Sequence, residues 1–340
     1  MSVTRLVLVG LTFLAKLAIA VDVGATNVRV GIGDENGVFL YKKKDRTTRQ
    51  GDEKAVANQV INLLSEAPPS LFKDVATVGV GCAGRLLTRD GIIYSPNLPF
   101  EKIDLKKPLE EHFRKPVYLV NDCVAAVWGE KVFGVAREYN NVVYLTISSG
   151  IGGGAIVDGK LLLGKCGGAH EVGHIVVDIE ERMRCGCGGY GHWEAYCSGA
   201  NMANYVKYLM ENAFKREDVE KSMLYAYYVR NELSPEVVYE AARRKDFIAL
   251  QVVEKLAKIN AMGIASIVNV YDPEIIIIGG GIALNNKELV IEPMKKYLDL
   301  YLFNKKPLIV ETSFGEDVGL KGALAIALRP PQSLLEAMKG

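Results

Sequence analysis

Asp22-Val23-Gly24-Ala25-Thr26-Asn27 lies between two apolar, β-rich runs at residues 17–21 and 28–32, which predicts two strands joined by a tight turn. Glycine in such a turn lets backbone N–H groups face a phosphate without an intervening Cβ. An Asp that ends a buried strand is placed to hold Mg²⁺, usually through water. The same residue types also form ordinary hairpin turns. We predict a phosphate loop made by Asp22 (also the magnesium ligand), Gly24, Thr26 and Asn27.

A second loop, Thr146-Ile147-Ser148-Ser149-Gly150-Ile151-Gly152-Gly153-Gly154, repeats this arrangement between apolar runs at residues 142–145 and 155–157. Its glycines exceed what a hairpin needs, and its hydroxyls suit a phosphate. A glycine triplet at residues 279–281 follows a further apolar run, where an ordinary strand-to-helix turn is the alternative. The predicted nucleotide contacts are Ser148, Ser149, Gly150, Gly152, Gly153, Gly280 and Gly281.

Asn121-Asp122 lies between the two loops in sequence, directly after a strand predicted at residues 117–120. Phosphoryl transfer depends on positioning and charge stabilisation, with a carboxylate that accepts the proton of the attacking hydroxyl. We predict that Asp122 is this catalytic base. The alternative is that Asp122 caps the helix beginning at Cys123, and one carboxylate cannot fill both roles. The pattern indicates an ATP-dependent kinase of a small hydroxylated substrate.

The strand and helix pattern restarts at the second loop, which predicts an α/β fold of two duplicated βββαβαβα units with inserted helices. The smaller lobe is predicted at residues 1–120, together with a C-terminal helix at about 320–340. The larger lobe, with the nucleotide site, is predicted at residues 121–319.

A glycine-rich turn, Cys185-Gly186-Cys187-Gly188-Gly189-Tyr190-Gly191-His192, follows His174 and concentrates thiol and imidazole groups. Such ligands are typical of tetrahedral Zn²⁺, and a closed four-ligand site is structural. We predict that His174, Cys185, Cys187 and His192 hold one structural zinc ion. The alternative is two free thiols and two loop histidines.

Composition narrows the class of protein. The 340 residues carry 41 Lys+Arg against 40 Asp+Glu and no long basic run, which argues against nucleic-acid binding. Six cysteines do not suggest a secreted disulfide framework. Residues 3–20 resemble a signal peptide, but cleavage after Ala20 would remove the strand that presents Asp22. We expect a cytoplasmic protein with no membrane or nucleic-acid partner, and the role of residues 1–16 stays open.

A polyhydroxylated ring needs several hydrogen-bond donors and acceptors, and polar residues near the predicted base and the zinc turn supply them. Each of these residues has the alternative of being an ordinary solvated loop residue. The candidate substrate-binding residues are Asn97, Asn121, Glu171 and Glu194.

On these motifs the chain resembles the ROK family (repressors, open reading frames and sugar kinases) from residue 17 to residue 328. The resemblance implies a two-lobed actin-like ATPase, or ribonuclease H-like, fold. Residues 22–27 and 146–154 resemble the two phosphate loops of the family. Asn97 resembles its sugar-contacting Asn, and Asn121-Asp122 resembles its Asn–Asp pair with the base.

The remaining part of the resemblance concerns the sugar and zinc residues. Glu171 and His174 resemble the family's Glu-x-Gly-His, in which the Glu binds sugar hydroxyls and the His contacts the sugar while also ligating zinc. Glu194 resembles the Glu that follows the zinc knuckle. Three residues depart from the family's pattern, of which two lie here: His192 stands where a Cys is usual, and His170 stands where a Gly is usual. In the Gly-x-Pro-Gly segment, an Ala (residue 83) replaces the Pro.

The implied activity is the phosphorylation of a hexose at its 6-hydroxyl, with glucose as the expected substrate. Fructose, mannose and N-acylhexosamine kinases share every catalytic residue and remain alternatives. A sugar-responsive regulator of the family carries an additional DNA-binding domain, for which the residues before Asp22 leave no room. The implied cofactors are ATP, Mg²⁺ and structural Zn²⁺, and the implied assembly is a homodimer.

Overall fold

The computed structural model describes residues 16–87, 91–95, 98–165 and 167–338. Residues 1–15 and Asn97, for which the sequence raised a question or a prediction, lie outside the described residues. Within those ranges, no helix combines the length and the apolar character that crossing a membrane requires.

Strands and helices alternate through both halves of the chain. The strands are β1 (Leu17–Val23), β2 (Asn27–Gly33), β3 (Phe39–Arg46), β4 (Val75–Cys82), β5 (Arg85–Leu87), β6 (Ile92–Tyr94), β7 (Ile103–Asp104), β8 (Val117–Asn121), β9 (Val142–Ile147), β10 (Ile151–Val157), β11 (Lys160–Leu161), β12 (Ile275–Gly279) and β13 (Leu308–Glu311). The α-helices are α1 (Ala55–Leu64), α2 (Lys106–Phe113), α3 (Asp122–Val132), α4 (Glu194–Cys197), α5 (Met202–Asn212), α6 (Arg216–Lys221), α7 (Tyr225–Val229), α8 (Pro235–Arg243), α9 (Phe247–Tyr271), α10 (Gly281–Asn285), α11 (Lys287–Leu298), α12 (Val318–Leu328) and α13 (Gln332–Ala337). Short 3₁₀ turns occupy Pro69–Lys73, Val172–His174 and Gly315–Asp317.

Two five-stranded sheets share one strand order, β3-β2-β1-β4-β8 in the first and β11-β10-β9-β12-β13 in the second. In both sheets the first three strands of this order pair antiparallel, the fourth pairs parallel to the central third strand, and the fifth pairs parallel to the fourth. The predicted duplication is therefore confirmed. Strands β5, β6 and β7 form a separate small sheet.

The sheets differ in detail from the strands predicted by apolar pattern. The apolar run at residues 38–41 predicts a third strand of only that length, whereas β3 extends to Arg46. The apolar pattern missed this extension because β3 is an edge strand with a lysine at each of residues 42–44 and little burial. Lysines on an edge strand also discourage pairing with a second chain.

The cores show why other segments are so apolar. The four isoleucines of β12 are fully buried, because this strand lies between β9 and β13 with both faces covered. Helix α12 is apolar around most of its circumference because it packs on β1, β4 and α3 together. Helix α13, unlike α12, lies beside the second sheet. There the Ser333 hydroxyl donates to the carbonyl oxygen of Leu161 in β11 at 2.9 Å. The division of the chain into lobes at residue 120 stays a prediction.

Candidate active site

The first glycine-rich loop forms a closed turn between β1 and β2. The Gly24 N–H donates to the Asn27 carbonyl oxygen at 2.9 Å. Thr47, which follows β3, fastens the loop from the side: its hydroxyl donates to the Gly24 carbonyl oxygen at 2.7 Å, and its N–H donates to the Thr26 carbonyl oxygen at 3.0 Å. The Thr26 side chain itself is exposed. The turn is therefore held through its backbone, which leaves this hydroxyl available to a ligand.

Asp22 is the last residue but one of β1, the buried central strand of the first sheet, and lies opposite Arg29 of β2 in the antiparallel register. An Arg29 guanidinium nitrogen donates to Oδ2 of Asp22 at 3.1 Å. A Cβ on Gly319, at the start of α12, would lie only 2.6 Å from Oδ1 of Asp22, so a glycine is needed there. The sequence-based prediction missed Arg29, although residues that face each other in an antiparallel pair can be found by counting outward from the turn.

The carboxylate of Asp22 is buried, and burial raises its pKa to about 6 even though the Arg29 charge lowers it. A carboxylate oxygen at a loop edge is the ligand type that Mg²⁺ takes in proteins, often with water molecules completing the coordination shell. Because Arg29 already occupies one oxygen, a water-mediated contact fits the Asp22 side chain better than a contact through both oxygens.

Asn121 and Asp122 divide the two roles that the sequence left open for Asp122. Asn121 is the residue that caps α3, since its Oδ1 accepts the N–H groups of Cys123 at 2.8 Å and Val124 at 3.4 Å. Asp122 is the first residue of the helix, and its Oδ1 also accepts the Cys123 N–H, at 2.9 Å. The Cys123 thiol also donates toward the Asp122 carboxylate, which has about four acceptor sites and so keeps capacity for a ligand. The cap is thus satisfied without using up the Asp122 carboxylate.

The two carboxylates lie at the same edge of the first sheet. Asp22 pairs with Gly81 of β4, which pairs in turn with Val120 of β8, and these strands run parallel. Parallel strands place their carboxyl ends together, and ligands of α/β sheets bind in the crevice outside those ends. Burial raises the pKa of Asp122, with the Cys123 N–H acting in the opposite direction. Part of the Asp122 residue nevertheless stays accessible.

The second glycine-rich loop turns at residues 148–150, where the Ser148 N–H donates to the Gly150 carbonyl oxygen at 2.9 Å. The Gly199 N–H donates to the Ser148 carbonyl oxygen at 2.7 Å. Oε2 of Glu194 accepts the Ile151 N–H at 2.8 Å. Glu194, predicted from its place after the zinc turn as a sugar ligand, therefore also fixes the start of β10.

The remaining glycines of this loop lie inside β10 and are required by packing. A Cβ on Gly152 would lie 2.8 Å from Sγ of Cys123, at the start of α3. A Cβ on Gly153 would lie 2.8 Å from Cγ2 of Val172, and the Cβ position of Gly154 is filled by the Cys123 backbone. Side chains at these positions would push α3 and the segment at Val172 away from the loop. The sequence suggested phosphate contacts from Gly152 and Gly153, and these contacts stay a prediction.

The glycine triplet lies against the same loop. Gly280 has a φ of 91°, which favours glycine, and a Cβ there would lie 2.6 Å from Oγ1 of Thr146. Gly281 begins the short helix α10. The end of β12 thus approaches the start of the second loop at the place where the sequence predicted a nucleotide.

Glu171 and His174 flank a 3₁₀ turn that packs on the second loop. The Cβ position of Gly173 is filled by the Ile151 carbonyl oxygen. Nε2 of His174 lies 3.6 Å from a Glu171 carboxylate oxygen, and about half of the Glu171 side chain is exposed. The imidazole of His170 is buried, with Nε2 2.7 Å from the Gly167 carbonyl oxygen. His170 therefore contacts its own loop through that nitrogen.

The four predicted zinc ligands converge. One ligand atom from each of His174, Cys185, Cys187 and His192 lies within 4.8 Å of the other three. Nδ1 of His174 is 3.8 Å from Sγ of Cys185, and Nδ1 of His192 is 3.2 Å from Sγ of Cys187. Two thiols and two imidazoles at this spacing are a donor set that fits tetrahedral Zn²⁺. Since Nδ1 of His174 faces the thiols, its Nε2 stays free to face Glu171.

The profile of the ROK family matches residues 18–329 of this chain. The chain belongs to the ROK family. Among its relatives, a glucokinase from Aeropyrum pernix is 39% identical and aligns with 93% of this chain and 98% of the relative. A glucokinase from Pyrobaculum calidifontis is 38% identical and aligns with 93% of this chain and 96% of the relative.

Among solved structures, this ROK protein is similar to a ROK family glucokinase from Streptomyces griseus in complex with glucose and AMPPNP. The TM-score is 0.74 at 30% sequence identity, over 92% of this chain and 99% of that one. The expected two-lobed actin-like ATPase fold is thus confirmed, in agreement with the duplicated sheets.

Proposed function

We propose that this ROK protein is an ATP-dependent hexose kinase that phosphorylates glucose at its 6-hydroxyl. The observation that carries the proposal is the position of Asp122: a carboxylate at the start of α3, between two glycine-rich loops, whose capping role is filled by Asn121. Relatives named glucokinase align with nearly the whole chain. The related structure that holds glucose and AMPPNP supports ATP as the donor.

Asp122 is the general base in this proposal. Its carboxylate, which has acceptor sites beyond those used by Cys123, accepts the proton of the sugar 6-hydroxyl as the oxygen attacks the γ-phosphoryl group. The base must be ionised, and the Cys123 N–H holds it in place through Oδ1. Asn97 and Asn121 are proposed to contact sugar hydroxyls, and the Asn121 amide is already oriented because its Nδ2 donates to the Gly84 carbonyl oxygen at 3.4 Å.

The two loops bind the phosphates from opposite sides. Mg²⁺ supplies charge neutralisation when bound, and Asp22 is the residue we propose for it. Burial raises the pKa of Asp22 to about 6, and Arg29 opposes this rise through its charge and hydrogen bond, which favours the ionised carboxylate. Closure of the two lobes over the sugar excludes water, which would otherwise compete as the phosphoryl acceptor.

The zinc site has a structural role in this proposal. His174, Cys185, Cys187 and His192 would hold the zinc ion, which would supply rigidity to this turn; Nδ1 of His174 already faces Sγ of Cys185. Nε2 of His174 and the carboxylate of Glu171 then face the sugar together. Oε1 of Glu194 lies 3.8 Å from Sγ of Cys185 while its Oε2 holds the second loop. The same turn therefore fixes sugar ligands and a phosphate loop.

A coupled ADP-release assay tests the proposal with glucose, mannose, fructose, N-acetylglucosamine and N-acetylmannosamine. We expect ADP release that depends on glucose, with the highest kcat/KM for this sugar. Turnover of an N-acetyl sugar alone would support the kinase activity and contradict glucose as the substrate. No turnover of any of these sugars by a folded, zinc-loaded protein would overturn the proposed function.

We also propose that the protein is a homodimer. An open groove of about 500 Å³ is lined by residues that include Val176, Ile179 and Tyr301. Ile179 is 90% exposed, and Phe303, which is held at the groove through its N–H and Asn269, is 94% exposed. Exposed apolar side chains that gather at one groove suit a surface that another protein covers. We also propose a cytoplasmic location, because thiols stay reduced there and reduced cysteines are the form that binds zinc.

Light scattering of Ile179→Asp and Phe303→Asp tests this assembly. We expect a dimeric mass for the unchanged protein and a monomeric mass for each variant, because a buried unpaired carboxylate is costly. Glu217→Gln on the exposed face of α6 is the control and should stay dimeric. A monomeric unchanged protein would contradict the proposal.

A further inference from the structure

Glu130 is a fully buried carboxylate near the end of α3, outside the groups assigned so far. Its Oε1 accepts the Thr312 hydroxyl at 2.6 Å and the Ser313 N–H at 2.8 Å. Its Oε2 accepts the Val135 N–H at 3.1 Å. Within the described ranges none of its hydrogen-bond partners is a cation. Burying a charge with only neutral donors is costly unless each donor is well placed.

These three donors come from two different passages between the sheets. Residues 122–141 lead from β8 of the first sheet to β9 of the second, and Val135 belongs to this passage. Residues 312–317 lead from β13 of the second sheet to α12, which packs on the first sheet, and Thr312 and Ser313 begin this return. Glu130 therefore joins the outgoing and returning chain at one buried point.

The hydrogen bonds of Glu130 hold the helix that carries the proposed base. Asp122 begins α3, and Glu130 lies eight residues further along, which corresponds to about 12 Å at the rise of an α-helix. At its start, α3 touches β10 closely, because Cys123 fills the Cβ positions of Gly152 and Gly154. At its end, Glu130 hydrogen-bonds to the chain leaving β13, and just beyond the helix the Val135 N–H also donates to the Ser313 hydroxyl oxygen at 3.1 Å. The two contacts together fix the position of α3 against the second sheet.

The opposite side of α3 is built differently. A Cβ on Gly129 would lie 2.8 Å from Cα of Gly322, so α3 and α12 approach each other backbone to backbone. Contacts between small residues carry few interlocking side chains, and sliding of packed helices is one way in which lobes close. Hydrogen bonds hold α3 to the second sheet, whereas few interlocking side chains hold it to α12. We therefore expect closure to move α12 along α3 and to leave Asp122 aligned with the second loop.

We propose that Glu130 is a positioning residue, whose buried carboxylate joins both passages between the sheets and thereby holds α3, with Asp122 at its start, against the second sheet. This inference rests on the proposed kinase function. It assigns Glu130 no contact with the sugar or the nucleotide.

Glu130→Gln is the first test. The carboxylate accepts on both oxygens, whereas an amide has one acceptor oxygen and one NH₂ group, so in either orientation the NH₂ faces a donor. We expect kcat to fall by about 10- to 100-fold, the range that a displacement of about 1 Å can produce. Glucose Kd and stoichiometry from isothermal titration should stay within about twofold, since both sugar and loop residues lie elsewhere.

A second pair of variants separates positioning from stability. Thr312→Val removes the hydroxyl donor and retains the shape of the side chain, whereas Thr312→Ser retains the donor. We expect kcat to fall in the first and to stay near that of the unchanged protein in the second. Ile248→Val, in the core of the second lobe, is the stability control: it should lower Tm and leave kcat per binding site unchanged.

The outcomes are distinguishable. If the unchanged protein turns over glucose and the Glu130→Gln variant has an unaltered kcat, the positioning role is wrong while the kinase stands. The same conclusion follows if glucose Kd worsens as much as kcat falls, or if Thr312→Ser behaves like Thr312→Val. If the unchanged protein turns over no sugar, the proposed function itself fails.

Discussion

Asp122→Asn is expected to lower kcat by about 10²- to 10⁴-fold, the range that a positioned general base contributes. The amide oxygen can still accept the Cys123 N–H that Oδ1 of Asp122 accepts at 2.9 Å, so the start of α3 should keep its structure. What the variant loses is the ability of the second oxygen to take the proton from the sugar hydroxyl. We therefore expect a loss of rate without a comparable loss of sugar binding.

Isothermal titration with glucose supplies the matched measurement. The Kd of the variant should stay within about threefold of that of the unchanged protein, because the variant removes a proton acceptor and leaves the pocket's shape intact. Asn121→Ala is the contrasting variant: it removes the helix cap and should lower Tm as well as activity. A glucose Kd that weakens as much as kcat falls in Asp122→Asn would contradict the assignment of the base.

The pH dependence of the unchanged protein tests the same residue. Burial raises the pKa of Asp122, and the base works only when ionised. As pH falls, protonation of Asp122 therefore begins at a higher pH than for an exposed Asp, and kcat/KM should fall there. Asp22, whose pKa burial raises to about 6, protonates on the same side of neutrality and steepens the loss. In Asp122→Asn, the part of the acidic loss of activity that comes from Asp122 should disappear. The part that comes from Asp22 should remain.

Much of the fold was predictable because each half of the chain repeats one local signal. A glycine turn between two apolar runs marks the first two strands of each sheet, and the short apolar runs at residues 117–120 and 275–278 mark later parallel strands. The convergence of the four proposed zinc ligands was equally predictable, because ligands close in sequence need only one turn to come together. Such signals are local, and the structure adds little to them.

Features that depend on contacts between distant segments were not predictable from the sequence. Arg29 carries no motif, and its importance follows from a register that places it opposite Asp22. The glycines of β10 look like phosphate ligands in sequence, whereas their packing on Cys123 and Val172 appears only when α3 lies across the strand. Glu130 carries no motif, and two of its three partners lie 182 and 183 residues further along the chain. No spacing rule connects these residues.

Removal of zinc is the second change with a large expected effect. Structural zinc contributes about 10–16 kcal/mol to the folding of zinc-finger peptides at pH 7. In this protein the turn of residues 185–192 is part of a larger folded core. We therefore expect chelation to unfold residues 174–192 locally and to lower Tm, while the rest of the protein stays folded. Elemental analysis of the untreated protein should give one zinc ion per chain, as a four-ligand site predicts.

The consequence for activity follows from what the knuckle holds. Loss of zinc frees His174 from its Nδ1 contact and removes Cys185 from beside Glu194, which fixes the second phosphate loop through the Ile151 N–H. We therefore expect the zinc-free protein and Cys187→Ser to show a higher KM for glucose and a lower kcat, since sugar ligands and a phosphate loop are disturbed together. Restoring zinc to the chelated protein should restore both.

Cys197→Ala is the matched control, because it removes a buried thiol that donates to the Leu256 carbonyl oxygen and belongs to no metal cluster of the described residues. It should retain one zinc ion and an unchanged KM for glucose, with at most a lower Tm. Zinc that is absent from the purified protein, or chelation that leaves both Tm and KM unaltered, would contradict the structural metal. Since the knuckle links the sugar and phosphate halves of the site, a loss confined to either half would contradict the role of Glu194 between them.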